Sequence, residues 1–540
     1  MKTVYTNGAV YTGALPLVES FVVEDGEFLV AGSNEEALAA AGPDAAVVDL
    51  GGNFACSGFN DSHMHLLSLG SVTAAADLAE HTQSLADLLQ CLRDFARTHP
   101  AADDAWLRGR GWNQDYFTDV ARMPDRHDLD QVSATRPICA IRTCGHCLVV
   151  NSRALELLGI TADTPQPEGG RIGMEDGAPD GRFYDSAMDL VYNAIPAPSK
   201  EEVKEMIRSA CRILNGYGIT SSQTDDYCVY ATLPWETVND AYRELEAAGE
   251  LTVRVYEQSN FTNLTAFADF VERGNVTGTG SDLFRIGPLK MLGDGALGAH
   301  TAFLSRPYAD APGTCGIPVF SQETLDEMIG YANRHKMQVA VHAIGDACLD
   351  RVLSAFEKAL TECPREDHRH GIVHCQITRP DQLDKIRRLG LHVYAQSIFL
   401  DYDIQIVEQR VGKELAATSY SWKTLLDTGV SVSNGSDSPV ERPDVMAGIQ
   451  CAVTRKNIQG TAGPYLPKEA FSVQEALDSF TLRGAQSSFE EDRKGRIAPG
   501  MLADFVVLGE NPFTTAPEDI HKIPILETYL GGKRVYCRED

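Results

Sequence analysis

The middle of the chain alternates short apolar, β-branched runs with patterns of helical spacing, and this alternation limits the fold more than any other feature. It is typical of parallel strands covered by helices. After Ser321, residues at the spacing of one helix face precede the strand-like run MQVAVHAIG; they are Leu325, Met328, Ile329 and Ala332. Eight candidate strands occur, so the predicted fold class is α/β with a (β/α)8 TIM-like barrel. They cover residues 54–60, 219–225, 251–257, 284–291, 338–342, 370–374, 391–396 and 430–435.

Both ends of the chain read as short strands separated by turn residues. The dipeptides Asn7-Gly8 and Asp25-Gly26 each separate two β-rich runs, which predicts two β-hairpins near the start. The segments RIAPGMLADFVVLGENPF and ETYLGGKRVYC near the end have the same texture. We therefore expect the two termini to build one small β-sandwich together.

A long segment separates the first two candidate strands. It spans about 150 residues, whereas a βα crossover needs only about a dozen. An insertion after a barrel strand is expected to cap the C-terminal mouth of the barrel, where substrates bind. The predicted domains are the composite β-sandwich (1–53 plus 490–540), the barrel (54–70 plus 215–489) and the inserted cap subdomain (71–214).

The chain is strongly acidic, with 47 basic and 76 acidic residues and a formal net charge of −29. Such a surface repels phosphate backbones and anionic lipid headgroups, so we expect neither nucleic acid nor a membrane as partner. The 13 cysteines are scattered and odd in number, which favours a reducing compartment. The start MKTVYTNGAVYTG lacks an apolar signal core, and no stretch reaches the ~18 apolar residues of a membrane span. We expect a cytoplasmic protein, monomeric or homo-oligomeric, that acts on a small molecule.

Metal-competent side chains end four of the candidate strands. His63 and His65 are two residues apart in FNDSHMHLLSLG, and residues i and i+2 of a strand face the same side, so both imidazoles can reach one ion. His342, His374 and Asp437 end three other strands. Catalytic groups of barrels collect at these C-terminal strand ends. The pattern therefore predicts a metal centre.

Lys290 ends a further apolar strand, in FRIGPLKMLGDG. A buried ammonium facing divalent cations would be repelled. Two interpretations stay open. Either the stem is buried and the charged head reaches elsewhere, or the amine reacts with CO2 to form a carbamate that bridges two metal ions.

Several segments together resemble a known family. They are GFNDSHMH, KMLGDGALGAHTA, VHAIGD, VHCQ, SNGSDSPV and ADFVVLGENPF. With these segments the chain resembles the amidohydrolase superfamily, and within it the branch of the N-substituted formamide deformylases and related metal-dependent hydrolases. The resemblance extends over nearly the whole chain, including the insertion.

The resemblance implies a set of metal ligands and two catalytic residues. The ligands would be His63, His65, Lys290, His342, His374 and Asp437. The histidines of the HxH motif would hold a first metal, the other two a second, and a carboxylated Lys290 would bridge both. Asp437 would ligate the first metal and transfer the proton, so Asp437 and Lys290 are the predicted catalytic residues.

The predicted reaction is hydrolysis of a C–N bond of a small amide, N-formyl or N-acyl, by metal-activated hydroxide. A carboxylate beside the metal can accept the proton of water and return it to the leaving amine. Imidazole and carboxylate ligands favour Zn2+, one or two per chain, although Fe, Mn, Co and Ni also fit. Two alternatives stay open: the same site acting on an ester, lactone or cyclic amide, and a non-catalytic metal-binding scaffold.

Three further residues are candidates for substrate binding. His146 either faces the substrate or bonds to backbone, and Trp112 either forms an aromatic wall or packs inside the insertion. Asp294 either orients a ligand or forms an Asp-Gly turn. The pair Cys144 and Cys147 would be a redox centre only beside a βαβ unit, and that context is missing from the sequence.

Overall fold

The structure is a computed structural model that describes most of the chain. The described residues are 2–100, 105–142, 147–167, 170–230 and 232–539. Two compact units are present. Unit 1 consists of Met1–Ser68, Ile207–Val229 and Pro234–Asp540, and unit 2 consists of Leu69–Met206 and Tyr230–Leu233.

Unit 1 contains an eight-stranded parallel barrel sheet, which confirms the predicted core of the fold. The barrel strands 1 to 8, in chain order, are Phe59–Met64, Ile219–Thr224, Arg254–Asn260, Phe284–Leu292, Val339–Ala343, Gly371–His374, His392–Ala395 and Val432–Asn434. Each strand pairs in parallel with the next one along the chain. Barrel strands 1 and 8 meet just beyond the sheet, where Asp437 N donates to His63 O at 2.9 Å and His65 N donates to Ser438 O at 2.8 Å.

Gly435 allows this meeting of the first and last strands. A Cβ atom there would lie 2.5 Å from the backbone N of His63 and 2.7 Å from Oδ1 of Asp61. Real side chains do not approach backbone so closely, so only glycine fits between barrel strands 1 and 8. The position therefore brings the backbone of His63 next to the segment that carries Asp437.

The predicted range of the first barrel strand overlaps the observed strand only at residues 59 and 60, while the other seven ranges overlap theirs over most of their length. The prediction covered 54–60, but Phe54–Ser57 belongs to a terminal sheet and the barrel strand is Phe59–Met64. The run FACSGF is apolar throughout, so its pattern does not mark the change of sheet. The chain changes sheet at Gly58, where a Cβ would lie 2.2 Å from Thr220 Oγ1.

Helices surround and follow the barrel strands in unit 1. They are Trp235–Ala247, Leu264–Glu272, Gln322–Arg334, Asp346–Glu362, Pro380–Leu389, Leu400–Asp403, Val407–Ala416, Trp422–Asp427, Val445–Thr454, Val473–Ser479 and Leu482–Ser487. Single 3-10 turns cover Ser397–Phe399, Pro467–Glu469 and Pro517–Lys522. The helix predicted after Ser321 is confirmed, because the hydroxyl of Ser321 accepts from Thr324 N and the four apolar positions are buried.

Unit 1 contains two further sheets, one built from the N-terminal strands and one from strands of both ends of the chain. One contains Lys2–Thr6, Ser20–Glu24, Glu27–Gly32 and Ala46–Asp49, with the helix Asn34–Ala41 beside it. The other contains Ala9–Val10, Phe54–Ser57, Phe505–Leu508, Ile525–Leu530 and Lys533–Cys537. Residues of both sheets share one apolar cluster, in which the rings of Phe505 and Tyr529 stack with centroids 4.2 Å apart.

Of the two hairpins predicted near the start, one is confirmed and one is wrong. The strands around Asp25-Gly26 pair with each other, with Glu24 opposite Glu27. The strands on either side of Asn7-Gly8 do not pair, because Lys2–Thr6 and Ala9–Val10 enter different sheets. A turn dipeptide fixes a local reversal but not the partner of the strand that follows it.

Unit 2 has a six-stranded sheet of its own. Its strands are Ala76–Asp77, Leu107–Trp112, Ile138–Arg142, Cys147–Val150, Gly170–Glu175 and Ala178–Asp185. Further helices of the chain are Leu66–Thr73, Leu85–Thr98, Arg126–Asp130, Ser152–Leu158, Asp189–Tyr192 and Lys200–Gly216, with 3-10 turns at Gln114–Tyr116 and Ser186–Met188. Among the described residues, no helix combines the length and the apolar character needed to span a bilayer.

Candidate metal centre

Three of the predicted ligands converge at one end of the barrel in unit 1. His63 lies on barrel strand 1, His374 ends barrel strand 6, and Asp437 follows barrel strand 8. All three are buried, and one ligand atom from each lies within 4.8 Å of the others. This group can hold one metal ion.

Two of these three residues have a left-handed backbone conformation at or just after the end of a barrel strand. His374 and Asp437 have φ angles of 74° and 59°, and Cys375, which follows His374, has a φ of 50°. Left-handed backbone at non-glycine residues costs of order 1–3 kcal/mol each and is concentrated at functional sites. Cys375 is buried, and burial raises the pKa of its thiol to about 12, in agreement with a packing role.

His63 and His374 are each held by a glutamine. Nδ1 of His63 lies 2.9 Å from Oε1 of Gln258, and Nδ1 of His374 lies 2.7 Å from Oε1 of Gln396. Burial, together with the positive charge of Lys290, lowers the pKa of His63 to about 4. Burial also lowers the pKa of His374 well below its ordinary value. Both imidazoles are therefore neutral near pH 7.

His65 lies between two carboxylates instead. Its Nε2 lies 2.9 Å from Oδ1 of Asp437, and its Nδ1 contacts Oδ1 of Asp225. Burial opposes protonation of this ring, but the two carboxylates outweigh burial and raise the pKa of His65 well above its ordinary value. Asp437 also lies 3.3 Å from Nε2 of His63, and its contacts with the two rings hold its pKa well below the usual range despite burial.

Lys290 is buried in an ion pair. Its Nζ donates to Oδ2 of Asp225 at 3.1 Å, and both side chains are almost fully shielded from solvent. Burial raises the pKa of Asp225, but the positive charges of His65 and Lys290 overcome this and lower it. The charged head of Lys290 thus contacts a buried counter-ion, Asp225; this contact does not test the carbamate interpretation, which stays a prediction.

His342 lies beside His374, with ring centroids 4.5 Å apart. Its Nε2 lies 3.1 Å from the carbonyl oxygen of Gly295 and 3.3 Å from Oδ1 of Asp294. Asp294 also accepts from three backbone N–H groups at 2.8 to 3.0 Å, those of Phe303, Ile344 and Gly345. Asp294 therefore joins the loop after barrel strand 4 to the loop after barrel strand 5, and the geometry favours its interpretation as an orienting carboxylate.

Of the other two candidates for substrate binding, the structure describes only Trp112. Trp112, in unit 2, is fully buried in an apolar cluster, and its Nε1 donates to the carbonyl of Ala140 at 3.0 Å. The aromatic-wall interpretation of Trp112 is therefore wrong, and the packing alternative holds. His146 and Cys144 lie outside the described residues, and Cys147 is a buried residue of a strand of unit 2.

Sequence reasoning missed three residues that contact the predicted ligands. Asp225 directly follows barrel strand 2, so the rule that identified the other strand ends could have found it. Gln258 and Gln396 gave no such signal. No sequence motif marks a glutamine of this kind, because its role depends on the histidine ring that it contacts in the folded chain. The structure thus brings all six predicted ligands into one region and adds a carboxylate and two amides.

Comparisons with known proteins agree with this arrangement. A sequence profile of the amidohydrolase family matches residues 46–536. YtcJ of Bacillus subtilis, described as a proposed amidohydrolase, is 34% identical over 546 residues and aligns over 99% of both chains. The N-substituted formamide deformylase of Arthrobacter pascens is 25% identical, with 96% of this chain and 95% of that protein aligned. The crystal structure of an uncharacterized metal-dependent hydrolase from Pyrococcus furiosus superposes with a TM-score of 0.79 at 28% identity, covering 95% of this chain and all of that one.

Proposed function

This chain belongs to the amidohydrolase family, and on that premise we propose that it is a metal-dependent hydrolase that cleaves a C–N bond of a small-molecule amide. One observation carries the proposal. The ligand atoms of His63, His374 and Asp437 lie within 4.8 Å of one another in a buried position. Two imidazoles and one carboxylate are among the protein ligand sets of catalytic zinc sites.

The donor set fits a divalent ion of intermediate hardness, and we propose Zn2+. When bound, such an ion supplies a nucleophile from water at neutral pH and polarises the carbonyl group of the substrate. The chain supplies the rest: His63 and His374 offer neutral imidazoles, and Asp437 offers a carboxylate that burial does not neutralise.

Asp437 is the proposed proton carrier. Its Oδ1 lies 2.9 Å from Nε2 of His65. The side chain of His65 is 28% exposed, so this part of the cluster is accessible to solvent. The carboxylate can take a proton from the attacking water and pass it to the leaving amine, which is a poor leaving group unless protonated. The His65 ring beside it holds this carboxylate in place.

We propose further that Lys290 can carry a carbamate that would support a second metal; in that two-metal arrangement His374 would serve the second metal with His342 and no longer the first. Formation of the carbamate joins the neutral amine to CO2 and releases one proton. The ammonium must therefore lose a proton first, and Asp225 at 3.1 Å is the adjacent base. The ion pair that holds Lys290 as an ammonium opposes this step, so occupancy of the second metal depends on how this pair is broken.

The substrate class is proposed from the relatives and from the chemistry of the site. The Arthrobacter pascens relative is named for an N-substituted formamide, so N-formyl and N-acyl amines are the first compounds to test. The same nucleophile would attack an ester, lactone or cyclic amide. A panel of N-formyl amines, N-acetyl amines and lactones, compared by kcat/KM, separates these substrate classes.

The decisive experiment is metal content per chain, measured by plasma mass spectrometry on protein purified without chelators, with turnover of an N-formyl amine before and after chelation. We expect at least one equivalent of metal and turnover that chelation abolishes and Zn2+ restores. About two equivalents would support the carbamate-bridged pair, and about one would leave Lys290 unmodified. A protein that neither contains metal nor binds it on reconstitution would overturn the proposal in favour of a non-catalytic scaffold.

The organisation around the site is also part of the proposal. Antiparallel pairing of Phe54–Ser57 with Phe505–Leu508 supports a composite β-sandwich built from both ends of the chain. The separate sheet of unit 2 supports an inserted subdomain between barrel strands 1 and 2. The net charge of −29 supports a small molecule rather than a nucleic acid as the ligand.

A further inference from the structure

Two buried glutamines contact the metal-site histidines in the same way. Gln258 lies on barrel strand 3 and Gln396 directly follows barrel strand 7, so they approach the cluster from different parts of the barrel wall. Neither side chain is exposed to solvent. Each places its amide oxygen within 2.9 Å of Nδ1 of a histidine, His63 and His374 respectively.

An amide oxygen accepts hydrogen bonds and cannot donate them, so it decides where a neutral imidazole carries its proton. The proton must be on Nδ1, and the lone pair is then on Nε2. Nε2 of His63 points to Oδ1 of Asp437 at 3.3 Å, which leaves two acceptors facing each other. A cation between them satisfies both.

The orientation of the two amides is fixed to different degrees. Nε2 of Gln258 donates to the carbonyl oxygen of Ser62 at 3.3 Å, and a carbonyl can only accept, so Oε1 of Gln258 must face His63. Nε2 of Gln396 has no hydrogen-bond partner among the described residues. Its orientation therefore depends on His374 alone.

We propose that Gln258 and Gln396 are positioning residues that keep His63 and His374 in the Nδ1–H tautomer and so present both Nε2 atoms to the metal. This inference rests on the proposed function. It assigns a role to two residues that are not among the proposed metal ligands. The two glutamines also differ in how firmly they set the tautomer. Rotation of the Gln396 amide by 180° would place its NH2 group against Nδ1 of His374 and move the ring proton to Nε2.

The first test measures Zn2+ affinity of the full-length, metal-free protein by competition with a chromophoric chelator. Gln258→Leu and Gln396→Leu remove the acceptor, and we expect each to weaken binding about 10- to 100-fold, as loss of such an orienting partner does. Gln258→Glu and Gln396→Glu keep an acceptor oxygen and are expected to restore most of the affinity. Gln223→Leu is the matched control, since Gln223 is a buried barrel glutamine whose amide bonds to Gly484 O and Ser487 Oγ and, within the described part of the chain, to no histidine.

A second test needs no substitution at the glutamines. Nitrogen NMR of the metal-free wild-type protein, with labelled histidine, reads the tautomer of each ring, and the signals are identified by their loss in His63→Asn and His374→Asn. We expect a protonated Nδ1 and a bare Nε2 in both rings. The opposite tautomer would overturn the inference even if a leucine variant failed to fold.

The outcomes separate the inference from the function on which it rests. Wild-type protein that binds no Zn2+ would overturn the proposed function. Wild-type protein that binds Zn2+ while both leucine variants match it and Gln223→Leu would overturn only the role of the glutamines. Weakening in the leucine variants that the glutamate variants reverse would support it.

Discussion

The two sides of the metal centre are held by opposite means. His63 and His374 are held by neutral amides and remain uncharged, whereas His65 and Lys290 are held by the carboxylate of Asp225 and are charged. Asp437 contacts both sides. A neutral support leaves a lone pair free for a metal, while a charged support neutralises a buried cation. The difference teaches that residues identified by one sequence pattern can have unlike electrostatic environments.

The largest expected effect comes from removing the residue shared by the two sides. Asp437→Asn keeps the shape of the side chain but removes the base, and we expect kcat to fall about 10²- to 10⁴-fold. Steady-state turnover of an N-formyl amine, together with metal content, measures this. A variant that retains both its metal and its wild-type kcat would contradict the role of Asp437 as proton carrier.

Removing the carboxylate of Asp225 from the charged side should lower the free energy of unfolding. Asp225→Asn leaves the ammonium of Lys290 buried without its counter-ion, and we expect the free energy of unfolding to fall by about 3–5 kcal/mol. Urea denaturation measures this, and the double variant Asp225→Asn with Lys290→Met should recover part of the loss. The control is Asp282→Asn, which removes an exposed partner of Arg493 and should cost less than about 1 kcal/mol. Equal losses of unfolding free energy in Asp225→Asn and Asp282→Asn would contradict a stabilising role of the buried ion pair.

A carboxyl group near the neutral side gives a pH-dependent prediction. Asp403 accepts from Gln376 Nε2 and Tyr420 Oη, both at 2.8 Å, and burial raises its pKa to about 6. The folded protein therefore holds this proton more tightly than the unfolded chain, so stability is lost as the pH rises from about 4 to about 6, at about 1.4 kcal/mol per pKa unit. Asp403→Asn should be more stable relative to wild type at pH 8 than at pH 4. Urea denaturation at the two pH values measures this, and an unchanged difference would contradict the raised pKa.

The smallest effect compares two buried tryptophans. Trp422 Nε1 donates to the carbonyl of His374 at 3.0 Å, and Trp112 Nε1 donates to the carbonyl of Ala140 at 3.0 Å. Phenylalanine at either position removes the hydrogen bond to this carbonyl, which should cost about 0.5–1.5 kcal/mol of stability. Only Trp422→Phe should also weaken Zn2+ binding, because only that carbonyl belongs to a ligand. Weaker Zn2+ binding in Trp112→Phe would contradict a purely packing role of Trp112.

The sequence predicts the barrel and the ends of its strands because both depend on local patterns. Apolar runs of strand length predict strands, and the polar residue that ends each run lies at the mouth, as His342 and His374 show. The error in the first strand has a physical cause, since the apolar pattern of FACSGF continues while the chain changes sheet at Gly58.

The environment of the ligands could not be predicted in the same way. The pairing of Lys290 with Asp225 joins the ends of barrel strands 4 and 2, which barrel strand 3 separates, and neither residue indicates its partner. The amides of Gln258 and Gln396 are harder still, because glutamine is common and its oxygen matters here only through the ring that it meets. Packing of Trp112 depends likewise on the interior of unit 2, which no motif describes.

The contact between barrel strands 1 and 8 at Gly435 has a consequence for folding. His65 and Asp437 are 372 positions apart in sequence, and they meet only when the first and last strands come together. The proposed ligand set is therefore incomplete in any partly closed intermediate, and an ion bound there would stabilise the closed barrel over every earlier state. The same ion that would serve catalysis would therefore also hold barrel strands 1 and 8 together, and its binding would require that the barrel has closed.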